Sequence, residues 1–404
     1  MGTYLSTPIT EKCDESGESL ELEWGVVDMQ GWRKSMEDSH TAQGEQQLQQ
    51  MARVFGVYDG HGGAEVARFC QYYFVDVLMN QPINASQTPV GKSLREAFHA
   101  MDRLIDDPTR QHEISILRST KTMKAQADKS LSTVLTPEQA EVLKHEIEEF
   151  EKKTNSNNNA DKEEDGEKDD DNHPIHAGAT AVVAVITGKI LTVANAGDSR
   201  AVLCRRRRSR DGNNGTDDDG HYAFPLSYDH KPSQTHELNR ILCSGGFVNH
   251  FGRINGNLNL SRSIGDLKYK QVPGIPPEDQ MITAEPDIMQ IVVEDEDEFI
   301  ILGCDGIWDC LSNEQAVNFV MERIQTKTPV EIGTEMLDTI ISDDPRITQG
   351  IGGDNMTIMI IDLQTSNRER RRKSNTSTDE SLSSTKENED DDNNMTTTSE
   401  AAME

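Results

Sequence analysis

Four aspartates beside glycines, close to the predicted ends of strands, form a pattern that could act on a phosphoester. They are Asp59, Asp198, Asp305 and Asp354. Glycine lets the backbone turn, so each carboxylate can project from the edge of a rigid sheet. Converging carboxylates repel one another unless their pKa values rise or hard divalent cations lie among them. We expect the four to meet at one edge and bind Mg²⁺ or Mn²⁺, because oxygen-only ligands favour these ions over zinc.

Two such cations about 3.5–4 Å apart can share a water molecule and lower its pKa, so that a bridging water or hydroxide attacks the phosphorus. The arrangement needs one carboxylate that contacts both cations. Asp59 is the predicted bridge, because Gly60 lets the backbone approach a metal and offer its carbonyl oxygen. The pattern therefore predicts metal-dependent hydrolysis of a phosphoester.

Arg33 and His61 supply the two other functions that this chemistry needs. The planar guanidinium of Arg33 can hold two phosphate oxygens, and His61 titrates near neutral pH, which suits a general acid. Each residue alone has an ordinary explanation, as a turn residue, a solvated charge or, for Glu37 and Asp38, a pair at a helix start. Their joint occurrence near strand ends is what indicates a site.

Short apolar runs and helical periodicities predict the elements that position these residues. Predicted strands cover residues 22–27, 53–58, 179–186, 190–194, 299–302 and 357–362, and the third and fourth form a hairpin. Predicted helices follow the turn at 59–63 and cover the regions 94–105, 314–324 and 330–341. Several of the candidate residues therefore follow a strand directly.

The composition indicates that part of the chain lies outside the core. The chain has 404 residues, of which 34% are hydrophobic, and a mean hydropathy of −0.67. We predict an N-terminal tail over 1–20, a catalytic domain over 21–364 and a disordered Ser, Thr and acid-rich tail over 365–404. Within the domain we expect an insertion over 107–173, first helical (137–153) and then acidic and disordered, and an exposed loop over 205–220.

Charge and cysteine content limit the classes of partner and location. The formal net charge of −31 argues against non-specific binding to nucleic acid or anionic lipid and favours basic protein partners. Six cysteines without a C-x-x-C pair suit reduced thiols, and we expect neither a membrane span nor a secretory signal. A cytoplasmic or nuclear location, or both, follows as an expectation.

Two short segments near the termini each have two interpretations. Residues 1–6 fit an N-myristoylation signal at Gly2 and equally an unmodified N-terminus, so we expect membrane association only if Gly2 is acylated. The basic cluster at 368–373 fits a nuclear import signal or a charged linker.

Eight ordered segments resemble the motifs of the PPM, or type 2C, family of metal-dependent protein phosphatases. They are Met29–Asp38, Val54–Gly63, Gly178–Val183, Asn195–Arg200, Asp229–Pro232, Leu260–Asp266, Gly303–Asp309 and Asp354–Met356. The resemblance covers about residues 22–363 apart from the acidic insertion. It implies an α+β fold, a four-layer αββα sandwich of two central antiparallel sheets flanked by helices, with metals in the channel at one end of the sheets.

The same resemblance implies a role for each candidate residue. Asp59, Asp305 and Asp354 would bind one metal, and Asp59 with the Gly60 carbonyl, and with Glu37 and Asp38 nearby or through water, would bind the other. Arg33 would bind the substrate phosphate, and His61 would be the general acid. Asp198, with Asp305, would help form a third, weaker and more peripheral metal site.

The first residues and the acidic insertion resemble the gamma-type branch of the family, which implies basic nuclear proteins as substrates. We expect a monomer that hydrolyses phosphoserine and phosphothreonine in proteins and binds no nucleic acid directly. Two alternatives stay open at this point. One is a weakly catalytic or non-catalytic scaffold that captures basic proteins through the acidic insertion, and the other is an enzyme for small phosphoesters.

Overall fold

Two antiparallel sheets form the centre of the protein in a computed structural model that describes residues 4–18, 22–43, 52–81, 90–119, 175–207 and 220–364. The strands are β1 (Ile9–Glu18), β2 (Glu23–Gly31), β3 (Ser39–Gln43), β4 (Ala52–His61), β5 (Gly178–Thr187), β6 (Ile190–Ala196), β7 (Arg200–Arg206), β8 (His221–Pro225), β9 (Ile264–Gly265), β10 (Asp287–Val292), β11 (Asp297–Gly303) and β12 (Met356–Asp362). The first sheet has the order β1-β2-β12-β11-β7-β8. The second has the order β10-β6-β5-β4-β3, and β9 pairs with β5.

Four of the described helices cover the outer faces of the two sheets. The helices are α1 (Glu65–Met79), α2 (Val90–Asp106), α3 (Gln111–Ser119), α4 (Thr235–Cys243), α5 (Asp305–Trp308), α6 (Asn313–Met321) and α7 (Pro329–Ile340). Helices α1 and α2 pack on the second sheet, and α6 and α7 on the first. The predicted αββα sandwich is confirmed.

Alternating side chains of the central strands explain why these segments look apolar throughout. In β5, Val182 and Ala184 face the first sheet, whereas Val183 and Val185 face α1 and α2. Each face is buried against a different layer, so both sets of residues are apolar. Trp24 of the first sheet meets Phe55 of the second with 6.0 Å between the ring centroids.

The predicted N-terminal tail over 1–20 is wrong for residues 9–18. They form β1, an edge strand that pairs antiparallel with β2 from Ile9–Gly31 to Glu18–Glu23. Most of its side chains are exposed, so its stability comes from backbone hydrogen bonds to β2 and not from apolar burial. Such a strand shows no hydrophobic periodicity in the sequence, so the pattern does not predict it.

The predicted insertion over 107–173 begins too early. A 3₁₀ turn at Pro108–Arg110 and helix α3 continue the fold as far as Ser119. Ile114 of α3 is buried against α1 and α2. The helical pattern in the sequence is weak here because few residues of this short helix are buried. The predicted helix 137–153, the acidic stretch and the tail 365–404 lie outside the described residues.

The predicted loop over 205–220 is also shorter, because residues 205 and 206 belong to β7; residues 208–219 lie outside the described ranges. In the part of the chain that the structure describes, no helix combines the length and the apolar character that crossing a membrane requires. All six cysteines fall within it, and no disulfide joins any two of them.

Candidate metal centre and active site

Three carboxylates from both sheets meet at one end of the sandwich. Asp59 lies near the end of β4, Asp198 follows β6, and Asp305 begins α5 directly after β11. One oxygen of each lies within 4.8 Å of the others. The Asp198 side chain is only 3% exposed, so this residue lies within the cluster and not at its margin.

Burial and mutual repulsion raise the pKa values of two carboxyl groups in this cluster. Burial raises the pKa of Asp59 well above its usual range, and the neighbouring carboxylates, with Asp305 first, raise it further. Burial and then Asp198 raise the pKa of Asp305 in the same way. A divalent cation would offset both effects, so its binding would release protons and would strengthen as the pH rises.

A second group of close ligand atoms shares Asp59 with the first. Asp38, Asp59 and Cys304 each contribute one atom, all within 4.8 Å of one another. Oδ2 of Asp38 accepts a hydrogen bond from Thr357 Oγ1 at 2.7 Å, whereas its Oδ1 is buried without a hydrogen-bond partner. Burial raises the pKa of Asp38 to about 7. A buried, unpaired carboxylate oxygen is costly, and a bound cation would supply the missing partner.

The sulfur of Cys304, the third member of this group, also contacts the backbone. It accepts a hydrogen bond from the Thr357 amide at 3.1 Å, and the thiol faces the Asn355 carbonyl at 3.6 Å. Burial raises the pKa of the Cys304 thiol well above its usual range, and the neighbouring carboxylates add to this effect. The carboxylate oxygens of Asp38 and Asp59 are hard ligands of the kind that Mg²⁺ and Mn²⁺ prefer.

The side chain of Asp354 is directed toward Arg33. Its Oδ2 pairs with Arg33 Nη2, and its Oδ1 accepts a hydrogen bond from the Asn355 amide at 2.7 Å. Asp354 nevertheless contributes to the field that raises the pKa values of Asp59 and Asp305. The Arg33 side chain is 51% exposed, so a phosphate group can reach it from solvent.

Glu37 lies beside the second group and contacts neighbouring residues. Its carboxylate accepts hydrogen bonds from Ser35 Oγ at 2.8 Å and from the Gly63 amide at 3.3 Å. Its carbonyl oxygen would lie only 2.3 Å from a Cβ placed on Gly60. Only glycine permits this approach of the two backbones, which brings the end of β4 against the segment that carries Asp38.

His61 forms a pair with a buried carboxylate that sequence reasoning did not single out. Its Nε2 lies 2.6 Å from Asp266 Oδ2, which also accepts a hydrogen bond from Ser263 Oγ at 2.6 Å. Burial lowers the pKa of His61, but the charge and hydrogen bond of Asp266 outweigh this effect, and the net shift is upward. The imidazole therefore keeps its proton to a higher pH than a free histidine does.

Strand pairing explains how Asp266 reaches His61. His61 lies opposite Gly178 at the start of β5, and Gly178 lies opposite Gly265 of β9. A Cβ on Gly178 would lie 2.2 Å from Asp266 Oδ2 and 2.6 Å from His61 Nε2. Asp266 itself has φ +50° and is almost completely buried. The glycine thus leaves the space in which the two side chains meet.

Comparison with known proteins gives the family. Residues 22–123 and 119–345 match the family described as Protein phosphatase 2C. The chain is 39% identical over 369 residues to "Probable protein phosphatase 2C 21" of Arabidopsis thaliana. The aligned region covers 91% of this chain and 94% of that protein. The chain is also 39% identical over 365 residues to "Probable protein phosphatase 2C 11" of Oryza sativa subsp. japonica, with coverages of 89% and 90%.

The chain belongs to the protein phosphatase 2C family. It is accordingly a metal-dependent protein phosphatase, as the sequence motifs indicated. Its fold resembles the crystal structure of a phosphatase from Toxoplasma gondii, with a TM-score of 0.57 at 19% identity, over 87% of this chain and 95% of that one.

Four residues near the phosphatase site were not predicted to take part in it. They are Lys231, Asp266, Cys304 and Asp309. All four lie within the segments that carry the family resemblance. The sequence therefore showed these residues in motif positions but assigned them no role. The side-chain contacts that suggest their roles join residues distant in sequence.

In this phosphatase, Asp266→Asn should affect proton donation by His61 more than cation binding by the aspartates. Losing the carboxylate charge lowers the pKa of His61, so the alkaline limb of the pH profile of kcat/KM should move to lower pH. We expect kcat on a phosphothreonine peptide to fall by about tenfold to a hundredfold. The loss on p-nitrophenyl phosphate should be smaller, because that leaving group needs less help from an acid.

The matched control is Glu15→Gln, which removes an exposed carboxylate from another histidine pair, His40–Glu15 at 3.2 Å. Its pH profile should match that of the wild type. An unshifted alkaline limb in Asp266→Asn would show that Asp266 does not set the protonation of His61.

Arg33→Lys should separate substrate binding from the chemical step. Lysine keeps the charge but loses the two-pronged hold on phosphate, so we expect KM for a phosphopeptide to rise by about tenfold or more. Steady-state kinetics and inhibition by inorganic phosphate measure this effect. The adjacent exposed residue supplies the control, and Lys34→Ala should leave KM unchanged.

Proposed function

We propose that this phosphatase hydrolyses phosphoserine and phosphothreonine in proteins with two divalent cations, Mg²⁺ or Mn²⁺, held around Asp59. The observation that carries the proposal is that Asp59 belongs to both groups of close ligand atoms. Asp59, Asp305 and Asp354 would hold one cation, and Asp59, the Gly60 carbonyl, Asp38 and Glu37 the other. Asp198 with Asp305 would hold a third cation more weakly.

When bound, the cations would activate water and neutralise charge on the phosphate. The chain supplies the remaining functions through two further side chains, Arg33 and His61. Arg33 is half exposed and aligned with the cluster through Asp354, so it can hold phosphate oxygens and orient the ester. His61 can give a proton to the departing oxygen through Nδ1, because Asp266 holds its Nε2.

An acid at this place favours esters of aliphatic alcohols. Serine and threonine leave as alkoxides of high basicity, which must be protonated, so His61 suits these substrates. The scaffold alternative is disfavoured because the acidic residues, Arg33 and His61 are all present at the site. An enzyme for small phosphoesters would share the same chemistry, and the comparison of substrates in kinetic assays distinguishes the two.

We further propose phosphorylated basic proteins as substrates, on the strength of the net charge of −31. Residues of the acidic insertion, the gamma-type resemblance and the basic cluster at 368–373 favour nuclear as well as cytoplasmic substrates. Six cysteines without a disulfide agree with a reducing compartment. Acylation at Gly2 would add membrane association, and a monomer suffices for the proposed site.

Activity should depend on cations bound at the Asp59 cluster. Purified protein with Mn²⁺ should release phosphate from a phosphothreonine peptide, and EDTA should abolish the release. Asp305→Ala should lower kcat/KM by at least about 100-fold, because a bound cation supplies several kcal/mol of transition-state stabilisation.

The control variant Asp343→Ala removes an exposed carboxylate outside the cluster and should retain wild-type activity. Activity that survives EDTA, or that survives in Asp305→Ala, would contradict the two-metal mechanism.

Deletion of residues 151–172 should change substrate preference and not catalysis. We expect unchanged kcat/KM on a short phosphopeptide and weaker use of a basic phosphoprotein, because the acidic stretch attracts positive charge. A neutral Gly and Ser replacement of equal length should reproduce the effect. Equal losses on both substrates would mean that the stretch supports the fold.

A further inference from the structure

An ammonium group of the chain lies on one carboxylate of the metal cluster. Lys231 Nζ is 2.5 Å from Asp198 Oδ2. Asp198 is also one of the three residues whose oxygens converge with those of Asp59 and Asp305. The Asp198 side chain is 3% exposed, whereas the Lys231 side chain is 37% exposed. The carboxylate is therefore fixed inside the protein, and the lysine reaches it from the solvent side.

Two hydrogen bonds between the preceding residues, Gly197 and His230, hold Asp198 and Lys231 close together. The His230 amide donates to the Gly197 carbonyl at 2.9 Å, and the Gly197 amide donates to His230 Nδ1 at 3.2 Å. Each contact joins the residue before Asp198 to the residue before Lys231. Gly197 has φ +121°, and a Cβ there would lie 2.4 Å from Thr180 Cβ, so the turn that carries Asp198 admits only glycine.

Neighbouring charges direct the lysine to the cluster. Asp229, next but one before Lys231, is occupied by Arg200 through two contacts of 2.8 Å. Lys231 also interacts favourably with Asp305 and with Asp309, the residue that directly follows α5. Its ammonium thus lies in the negative field of Asp198, Asp305 and Asp309, where a divalent cation would also be attracted.

We propose that Lys231 is a built-in competitor for the cation at Asp198, so that this third site fills only when the lysine side chain withdraws toward solvent. An ammonium and a divalent cation cannot share one carboxylate oxygen at short range, because like charges repel. Of the proposed ligands of the two cations around Asp59, Asp354 pairs with Arg33, whereas Asp38 and the shared ligand Asp59 form no ion pair with a lysine or an arginine of the described residues. The lysine therefore makes the Asp198 site the weaker one and lets cation concentration control its occupancy.

The test counts bound Mn²⁺ by the electron paramagnetic resonance signal of the free ion, in titrations of the full-length chain. In Lys231→Met the weakest class of sites should tighten by about fivefold to tenfold, as expected for the loss of one charge-assisted pair. Lys231→Arg keeps the competing charge and should stay within about twofold of the wild type. The other classes should change less than the weak class, because Lys231 pairs with Asp198 and acts on Asp305 only through its charge.

Two further variants isolate the cause. Lys12→Met removes the same charge from β1, which three strands separate from β7 in the first sheet, and should leave the isotherm unchanged. Asp198→Asn should abolish the weak class, and adding Lys231→Met to it should have no further effect.

Unchanged or weaker binding in Lys231→Met, or equal tightening in Lys12→Met, would overturn the proposal. Lys231→Gln is the second variant if Lys231→Met loses the wild-type circular dichroism spectrum. If both lose it, Lys231 is a structural brace and the proposal is wrong. The inference rests on the proposed cation site at Asp198, and a weak class that persists in Asp198→Asn would show that this site itself is misplaced. None of these readouts depends on phosphate release.

Discussion

Repulsion among aspartates at one end of the sandwich is the constraint on which the functional part of this structure depends. The carboxylates of Asp59, Asp198 and Asp305 approach within 4.8 Å of one another. Two unit charges at that separation repel by about 3 kcal/mol at an effective dielectric constant of about 20. A domain is stable by only about 5–15 kcal/mol, so several uncompensated pairs would threaten the fold. The cluster must therefore take up protons or cations.

Three features reduce the repulsion among these carboxylates. Raised pKa values let Asp59 and Asp305 hold protons. Arg33 pairs with Asp354 and Lys231 with Asp198, so each flank of the cluster carries a positive side chain. Divalent cations would replace these partial solutions with a stronger one. On this view the two basic residues differ in purpose, because Arg33 is released toward the substrate phosphate while Lys231 is released toward solvent.

Antiparallel pairing is what brings acids from distant segments to one place. In such a sheet, the end of one strand adjoins the start of its neighbour, so β4 ends where β5 begins, and β11 ends where β12 begins. Loops from both sheets then meet at the same end of the sandwich. Glycines complete the approach, since Gly60 and Gly178 leave space where a Cβ would clash with Glu37 or Asp266. The rigidity of the sheets holds the carboxylates together despite their repulsion.

Sequence by itself determined the chemistry and the principal layers. Aspartates beside glycines after apolar strands indicated a hard-cation site, and apolar runs located the central strands, because both signals are local. Tertiary structure alone decided matters that depend on contacts between distant segments. It made residues 9–18 an edge strand through backbone pairing, brought Asp266 to His61 across Gly178, and placed Lys231 on Asp198. The hydropathy pattern does not predict such contacts, because they arise from strand register and from charges that come together only after folding.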